Sequence, residues 1–232
     1  MSSIWFPDAV PASPGSEDDE FADASGGVPS GWTEVDHGSV LTVDEDEPGL
    51  EFFVATHAGN ALAGIYKSIP AGDFTYWTKV SLSGLPETNS IIGGIALWED
   101  ATNSAGDVRT LALICNATQG EVSIHPWTAY NAIGAATVSQ PITVDVGPTH
   151  LYLMVRRTGT TYAFSFSTDG IGWQRLLSTG ALGITPTHIG PCVDNVATGA
   201  DVGARFPFWR YVASDVGMTP LMAGDRITVT AL

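Results

Sequence analysis

Positive charge is what this 232-residue sequence most lacks: nine Lys and Arg stand against twenty-five Asp and Glu, for a formal net charge of −16. Such a field repels phosphate backbones and anionic headgroups, so neither a nucleic-acid partner nor membrane insertion is expected. Charge of either sign is scarce, at 15% of residues, which leaves a surface of Ser, Thr, Gly, Asn and small apolar groups. Two cysteines, Cys115 and Cys192, are too few for a disulfide framework and have no Cys-x-x-Cys spacing. Buried free thiols are the expectation, with a single inter-strand bridge as the alternative. No stretch approaches the roughly 20 apolar residues of a membrane-spanning helix. Met1 to Asp8 shows neither a basic start nor an apolar leader segment. The chain is therefore expected to be made in the cytoplasm, without a signal peptide, and to reach any outside location by another route, such as incorporation into a particle. No segment sustains helical spacing for three turns, and no internal repeat is visible.

What is present favours strands. Val, Ile, Thr, Phe, Tyr and Trp are frequent, and residues that suit long helices do not form runs. Twenty-six Gly and fourteen Pro fall mostly between apolar stretches and act as turn punctuation. In residues 160–173, Tyr162, Phe164 and Phe166 alternate with Ala163, Ser165 and Ser167, the period-2 pattern of a strand with one buried face. Asp169-Gly170 then supplies a turn, and Trp173 starts a return strand. The same reading predicts strands near 20–23, 38–43, 50–56, 61–68, 73–83, 91–99, 108–116, 121–127, 134–144, 150–158, 161–168, 172–178, 187–194, 205–213 and 225–231. Turn signals every eight to fifteen residues point to a sandwich or barrel.

The acids are unevenly placed, with twelve of them and no Lys or Arg in residues 1–50. An acidic block of this kind is solubilising or flexible, a docking arm, or a cation-binding loop. Residues 1–19 read as an extended arm, because Pro7, Pro11 and Pro14 disfavour helix and lack ladder donors. Its apolar start, Ile4-Trp5-Phe6, is expected to make assembly contacts on this chain or a neighbour. Residues 214–232 are expected to form a closing strand or to add to a partner's sheet.

In order along the chain come Asp19-Glu20-Phe21, Trp32, Phe74 to Val80, Gly94 to Asp100, Leu151 to Arg157, Tyr162 to Gly170 with Trp173, and Phe206 to Val212. This series resembles the concanavalin A-like lectin/glucanase superfamily, in the version found as accessory sandwich domains of bacterial glycosidases and in bacteriophage virion proteins. The resemblance spans residues 19–213. It implies two antiparallel sheets of six or seven strands packed face to face, one of them concave. The expected fold is thus all-β: an antiparallel two-sheet jelly-roll sandwich of the concanavalin A-like type over 20–213, with an extended N-terminal arm (1–19) and a C-terminal segment (214–232). Phe21, Trp32 and Phe74 have a physical role independent of the family, as bulky anchors between the sheets. Trp173 is expected to cap the core beside its turn.

A retaining glucanase of this superfamily would carry a Glu-x-Asp-x-x-Glu run that sets two carboxylates across a cleft, and no such run occurs. Glu99-Asp100 is adjacent, so the two side chains face opposite ways on a strand or lie in a loop. There is no Gly-x-Ser-x-Gly, and His37, His57, His125, His150 and His188 show no metal spacing. No catalytic residue is assigned and no cofactor is expected. A structural Ca2+ would find its ligands at Asp44, Asp46 and Glu47, or at Asp100, Asn103 and Asp107, although neither set has EF-hand order and a solvated turn is the alternative.

A carbohydrate site needs exposed aromatic rings beside amides or carboxylates. His125, Trp127, Tyr130 and Asn131 form the best candidate, and Trp98 with Asp100 and Asn103 the second; the alternative is that these rings pack on a neighbouring strand or subunit. The expected function is a non-enzymatic bacteriophage virion protein, a capsid decoration, head-fibre or tail-associated subunit that contacts capsid or tail proteins and self-associates. A module binding host or environmental glycans is the alternative, and a glycoside hydrolase a minor one.

Overall fold

The structure, a computed structural model, describes residues 18–21, 26–45, 49–87, 89–142, 149–196 and 202–213. Sheet I joins β1 (Thr33–Val35), β4 (Ala63–Ser68), β14 (His188–Val196), β6 (Ser90–Trp98), β7 (Val108–Cys115), β8 (Gly120–Ala129) and β10 (Val138–Ile142) in that order, with β9 (Ala132–Ile133) on β8. Sheet II orders β13 (Gln174–Thr179), β12 (Thr161–Ser167), β11 (Thr149–Thr158), β5 (Phe74–Ser83), β15 (Val202–Phe206), β3 (Leu50–Val54) and β2 (Leu41–Glu45), with β16 (Trp209–Ala213) also on β5. Every pairing is antiparallel. The protein is an antiparallel two-sheet jelly-roll sandwich, and no helix occurs among the described residues.

Alternation explains the layers. On β5, Phe74, Tyr76, Thr78, Val80 and Leu82 are buried while Thr75, Trp77, Lys79 and Ser81 are half-exposed. The buried set meets Ile91, Ile95 and Leu97 of β6, Leu111 and Leu113 of β7, and Phe164 and Phe166 of β12 in one core between the sheets. Phe21, Trp32 and Phe74 belong to that core. Trp32 packs on Trp209 at 5.6 Å between ring centroids, and its Nε1 donates to Asp19 Oδ2 at 2.6 Å. By contrast β6 is buried along both faces from Ile91 to Trp98, which is why it reads as an unbroken apolar run.

Sheet I carries a second apolar cluster on its outer side: Val35, Leu62, Ile92, Ala96, Trp98, Ala101, Val108, Ala112, Trp127 and Cys192. Glycines make this possible. A Cβ on Gly64, Gly94 or Gly190 would fall 2.0–2.2 Å from a carbonyl oxygen of the adjacent strand, so only hydrogen fits on that side. Cys115 and Cys192 are both free and buried, Cys115 in the central core and Cys192 in this outer cluster.

Several strand boundaries differ from the sequence reading. The single strand expected at 205–213 is two, because the chain jogs at Phe206-Pro207-Phe208 and joins different halves of β5. Thr78 Oγ1 fills the break by donating to Phe208 O at 2.5 Å. The strand expected from residue 38 starts at Leu41, since Asp36 accepts from the backbone of Val40 and Leu41 and Ser39 adopts φ +54°. At 20–23, the described Glu20 and Phe21 are not in a strand; instead Asp19 forms an isolated bridge to Trp209. Among the described residues the expected 134–144 strand is the shorter β10, and neither β9, which precedes it, nor β1 was anticipated. The strand expected at 225–231 and the plug Ile4-Trp5-Phe6 lie outside the described residues.

Candidate functional site

The two predicted carbohydrate clusters meet at one end of sheet I. Trp98 and Trp127 flank Val108 in register across β6, β7 and β8. The loop after Trp98 touches the β8–β9 hairpin: Tyr130 N donates to Ser104 O at 3.1 Å, and Leu62 N donates to Tyr130 O at 2.8 Å. The ring of His37 lies 5.8 Å from that of Tyr130, and its Nε2 is 3.2 Å from Ala101 O. Neither tryptophan is a platform, however. Trp127 is 0% exposed and Trp98 is 3% exposed. Trp127 Nε1 donates to Thr110 Oγ1 at 3.2 Å inside the outer cluster. The expectation of exposed rings there is corrected for a tertiary reason: Pro126 lies within β8 and not in a loop, and Ala61, Leu62 and Ala101 belong to the buried layer around these rings.

The polar members of the set are engaged locally. Asp100 Oδ1 accepts from Thr102 N and Thr102 Oγ1, and these bonds, with His188 and His37 nearby, hold its carboxyl below the usual range. Asn103 Oδ1 accepts from Ala105 N, His125 Nδ1 is 3.0 Å from Gly134 O, and Asn131 is exposed. For metal binding, Asp46 and Glu47 lie outside the described residues, and Asp44 sits on β2. Among the described residues, no three His, Cys, Asp or Glu come together in a way that could hold an ion.

Beneath this region lies one acid that the sequence reading did not single out. Asp194 of β14 is 0% exposed. Its Oδ1 accepts from Ala61 N at 2.8 Å, while Oδ2 has no hydrogen-bond partner among the described residues. Burial pushes its pKa up to about 7 against the pull of the Ala61 and Asn195 amides. His57 Nε2 stands 3.8 Å from Oδ1, but burial lowers the histidine too. The contact therefore joins two groups that both resist charging, and we do not regard it as an ion pair.

The open aromatic surface is on the other side of the molecule. The outward row of sheet II runs Arg175–Ser165–Met154–Trp77–Arg210 across β13, β12, β11, β5 and β16. Next to it runs Ser167–Tyr152–Lys79, with Phe208 beyond. Trp77 meets Phe208 at 4.9 Å and Trp173 at 6.4 Å, both edge-on. Trp173 thus lies over the outer face and does not cap the core. Its position follows from the turn: Asp169 Oδ1 accepts from Ile171 N and Gly172 N at 2.8 Å each and from Ser167 Oγ, while Gly170 adopts φ +74°. A Cβ at Gly170 would sit 3.1 Å from the Tyr152 ring. Among the described residues Trp173 Nε1 has no hydrogen-bond partner. Farther along, Glu51, Phe53, Ser81, Ser83 and Arg205 line a depression of about 290 Å³, with Phe53 exposed and Glu51 paired to Arg205 at 3.5 Å.

This arrangement can stack on flat apolar faces and offer hydrogen bonds beside them; of its two carboxylates, Asp169 is held by its own turn and Glu51 by Arg205. No family model matches the chain, and no curated protein does. Solved structures do resemble it. The GH43 protein BlXynB from Bacillus licheniformis is similar at 17% identity and TM-score 0.63, over 85% of this chain and 39% of that one. A xylan β-1,4-xylosidase from Bacillus halodurans is similar at 16% identity and TM-score 0.58, over 89% and 40%. The chain thus spans about two-fifths of the length of these enzymes. The CBM2 module of the evolved Dit of Lactobacillus casei BL23 phage J-1 is similar at 11% identity and TM-score 0.51, over 84% of this chain and 94% of that module. Each of these likenesses is one of fold alone, an antiparallel two-sheet β-sandwich.

Proposed function

We propose that this protein is a non-catalytic carbohydrate-binding sandwich whose contact surface is the outer face of sheet II. The observation that carries the reading is Trp77, flanked by Phe208 and Trp173 on a face with unburied rings and Ser, Arg and Lys neighbours. Aromatic rings with amphipathic neighbours suit sugar faces, which are apolar above the ring plane and rich in hydroxyls at its edge. A catalytic reading needs two carboxylates facing a cleft. Asp194 has the raised pKa of a general acid but is sealed from solvent. A glycan array read with wild type and Trp77→Ala tests the proposal. Binding that is lost in the variant supports it; binding to no sugar, or binding that survives the substitution, sinks it.

The second reading concerns where the module works. We place it on a bacteriophage particle, as a decoration, head-fibre or tail-associated subunit in several copies. The likeness to the phage J-1 module over nearly its whole length, and the apolar Ile4-Trp5-Phe6 at the start of an acidic segment, favour this. Removing residues 1–19 should abolish incorporation into particles; undiminished incorporation would refute the placement.

A further inference from the structure

Lys and Arg are scarce in this chain, yet six of the nine lie on five strands of sheet II: Lys79 on β5, Arg156 and Arg157 on β11, Arg175 on β13, Arg205 on β15 and Arg210 on β16. Those five strands contain no Asp or Glu, although the chain has twenty-five. Alternation sends Lys79, Arg156, Arg175, Arg205 and Arg210 outward with Trp77 and Tyr152. Two of the five are already balanced, Arg205 by Glu51 and Arg210 by Glu20. Lys79 lies 5.7 Å from the centre of the Tyr152 ring, a cation–π contact. Neither Lys79 nor Arg175 faces a carboxylate within ion-pair distance among the described residues.

From these placements we infer that the outer face of sheet II takes an anionic polysaccharide, one bearing carboxylates or phosphates at intervals along its length. The inference rests on the carbohydrate reading above and names its ligand class. The rings supply stacking, while Lys79 and Arg175 supply charge-assisted hydrogen bonds to the acidic substituents. These two cations sit three strands apart on the same face, on β5 and β13, with Tyr152 on β11 between them. At the usual spacing of about 4.8 Å between strands, three spacings separate them by roughly 14 Å. That separation fits a chain molecule and exceeds what one monosaccharide can bridge. Charge complementarity is the deciding consideration. A neutral ligand gives no reason to gather the scarce cations of an acidic protein onto the strands from which every acid has been left out.

The test is affinity electrophoresis and titration calorimetry of the full chain against polygalacturonate, its fully methyl-esterified form, a poly(ribitol phosphate) teichoic acid, and single-stranded DNA. Retention by polygalacturonate or the teichoic acid is expected. It should weaken about tenfold in Lys79→Gln combined with Arg175→Gln, and again on raising the salt from 50 to 500 mM. The two acidic polymers tell carboxylate from phosphate recognition. Equal retention of the methyl ester would overturn the anionic inference and leave the carbohydrate reading standing. Retention of no polysaccharide, charged or neutral, would remove both. DNA held as tightly as the best polysaccharide would show unspecific polyanion capture and overturn the inference. So would a dimer, seen by sedimentation, that Trp77→Ala dissolves, because the face would then be an interface between copies.

Discussion

Replacing Asp194 by Asn should make the protein more stable at pH 8, by about 3 kcal/mol more than at pH 5. The unfolded chain ionises this carboxyl near its ordinary value of 3.8, whereas the fold holds its pKa up to about 7 by burial. That difference corresponds to about 4 kcal/mol of resistance to charging in the native state. The sign follows from proton counting. Between the two values the native state binds a proton that the unfolded chain has lost, so stability falls as pH rises. The contribution is fully present below about pH 4, declines through pH 7 and is gone above it. Asn keeps an oxygen for the Ala61 amide, 2.8 Å away in the parent, and cannot ionise. Urea denaturation of both proteins at pH 5, 6, 7 and 8 isolates the effect, because His57 and every other titrating group is common to the pair. The stability of wild type minus that of Asp194→Asn should drop by about 3 kcal/mol across this range. A difference that stays flat with pH would refute the reasoning.

Other substitutions separate the buried layer from the open face. Trp127→Ala should cost about 3–5 kcal/mol, the range for emptying a large aromatic site, since Trp127 is fully buried; a lowered urea midpoint checks it. Trp77→Ala should cost roughly half as much or less, because its ring is only half-buried. Gly94→Ala should prevent accumulation of folded protein, as its Cβ would lie 2.2 Å from Leu111 O and 2.7 Å from Ala112 Cα; soluble yield and circular dichroism report it. Burial pushes the Cys115 thiol up to about 12 and raises Cys192 as well. Neither should react with a thiol reagent in the native protein at pH 8, and both should react in urea.

Strands were legible where a period of two met a one-sided environment. β5 alternates cleanly, β12 alternates in sequence although its Ser165 and Ser167 are buried too, and β6 betrayed its double burial by having no polar residue between Ile91 and Trp98. The site was harder. Alternation separates Trp77 from Phe74 and Tyr76, yet says nothing about which of the two faces will be covered. For Trp98 and Trp127 the surrounding cluster draws on Val35, Leu62 and Cys192, distant in sequence, so their burial is a property of the assembled fold. The sequence places Trp173 beside its turn, but the side of the sheet it takes depends on the Asp169 hydrogen bonds, which deliver it to the outer face. One signal was present in the sequence and overlooked: runs of strand containing Lys and Arg but no acid, in a chain that is otherwise acidic.

If the proposed ligand coats a negatively charged envelope, that segregation of charge would bias the approach, with the acid-free strands turning toward the surface first. In salt of physiological strength the effect reaches only about 8 Å, so it governs how encounters begin and adds little to how long they last. Many copies fixed to one body would share the same bias. Each arrival would then present rows of correctly aimed sites, and weak individual grips would add up to firm adhesion.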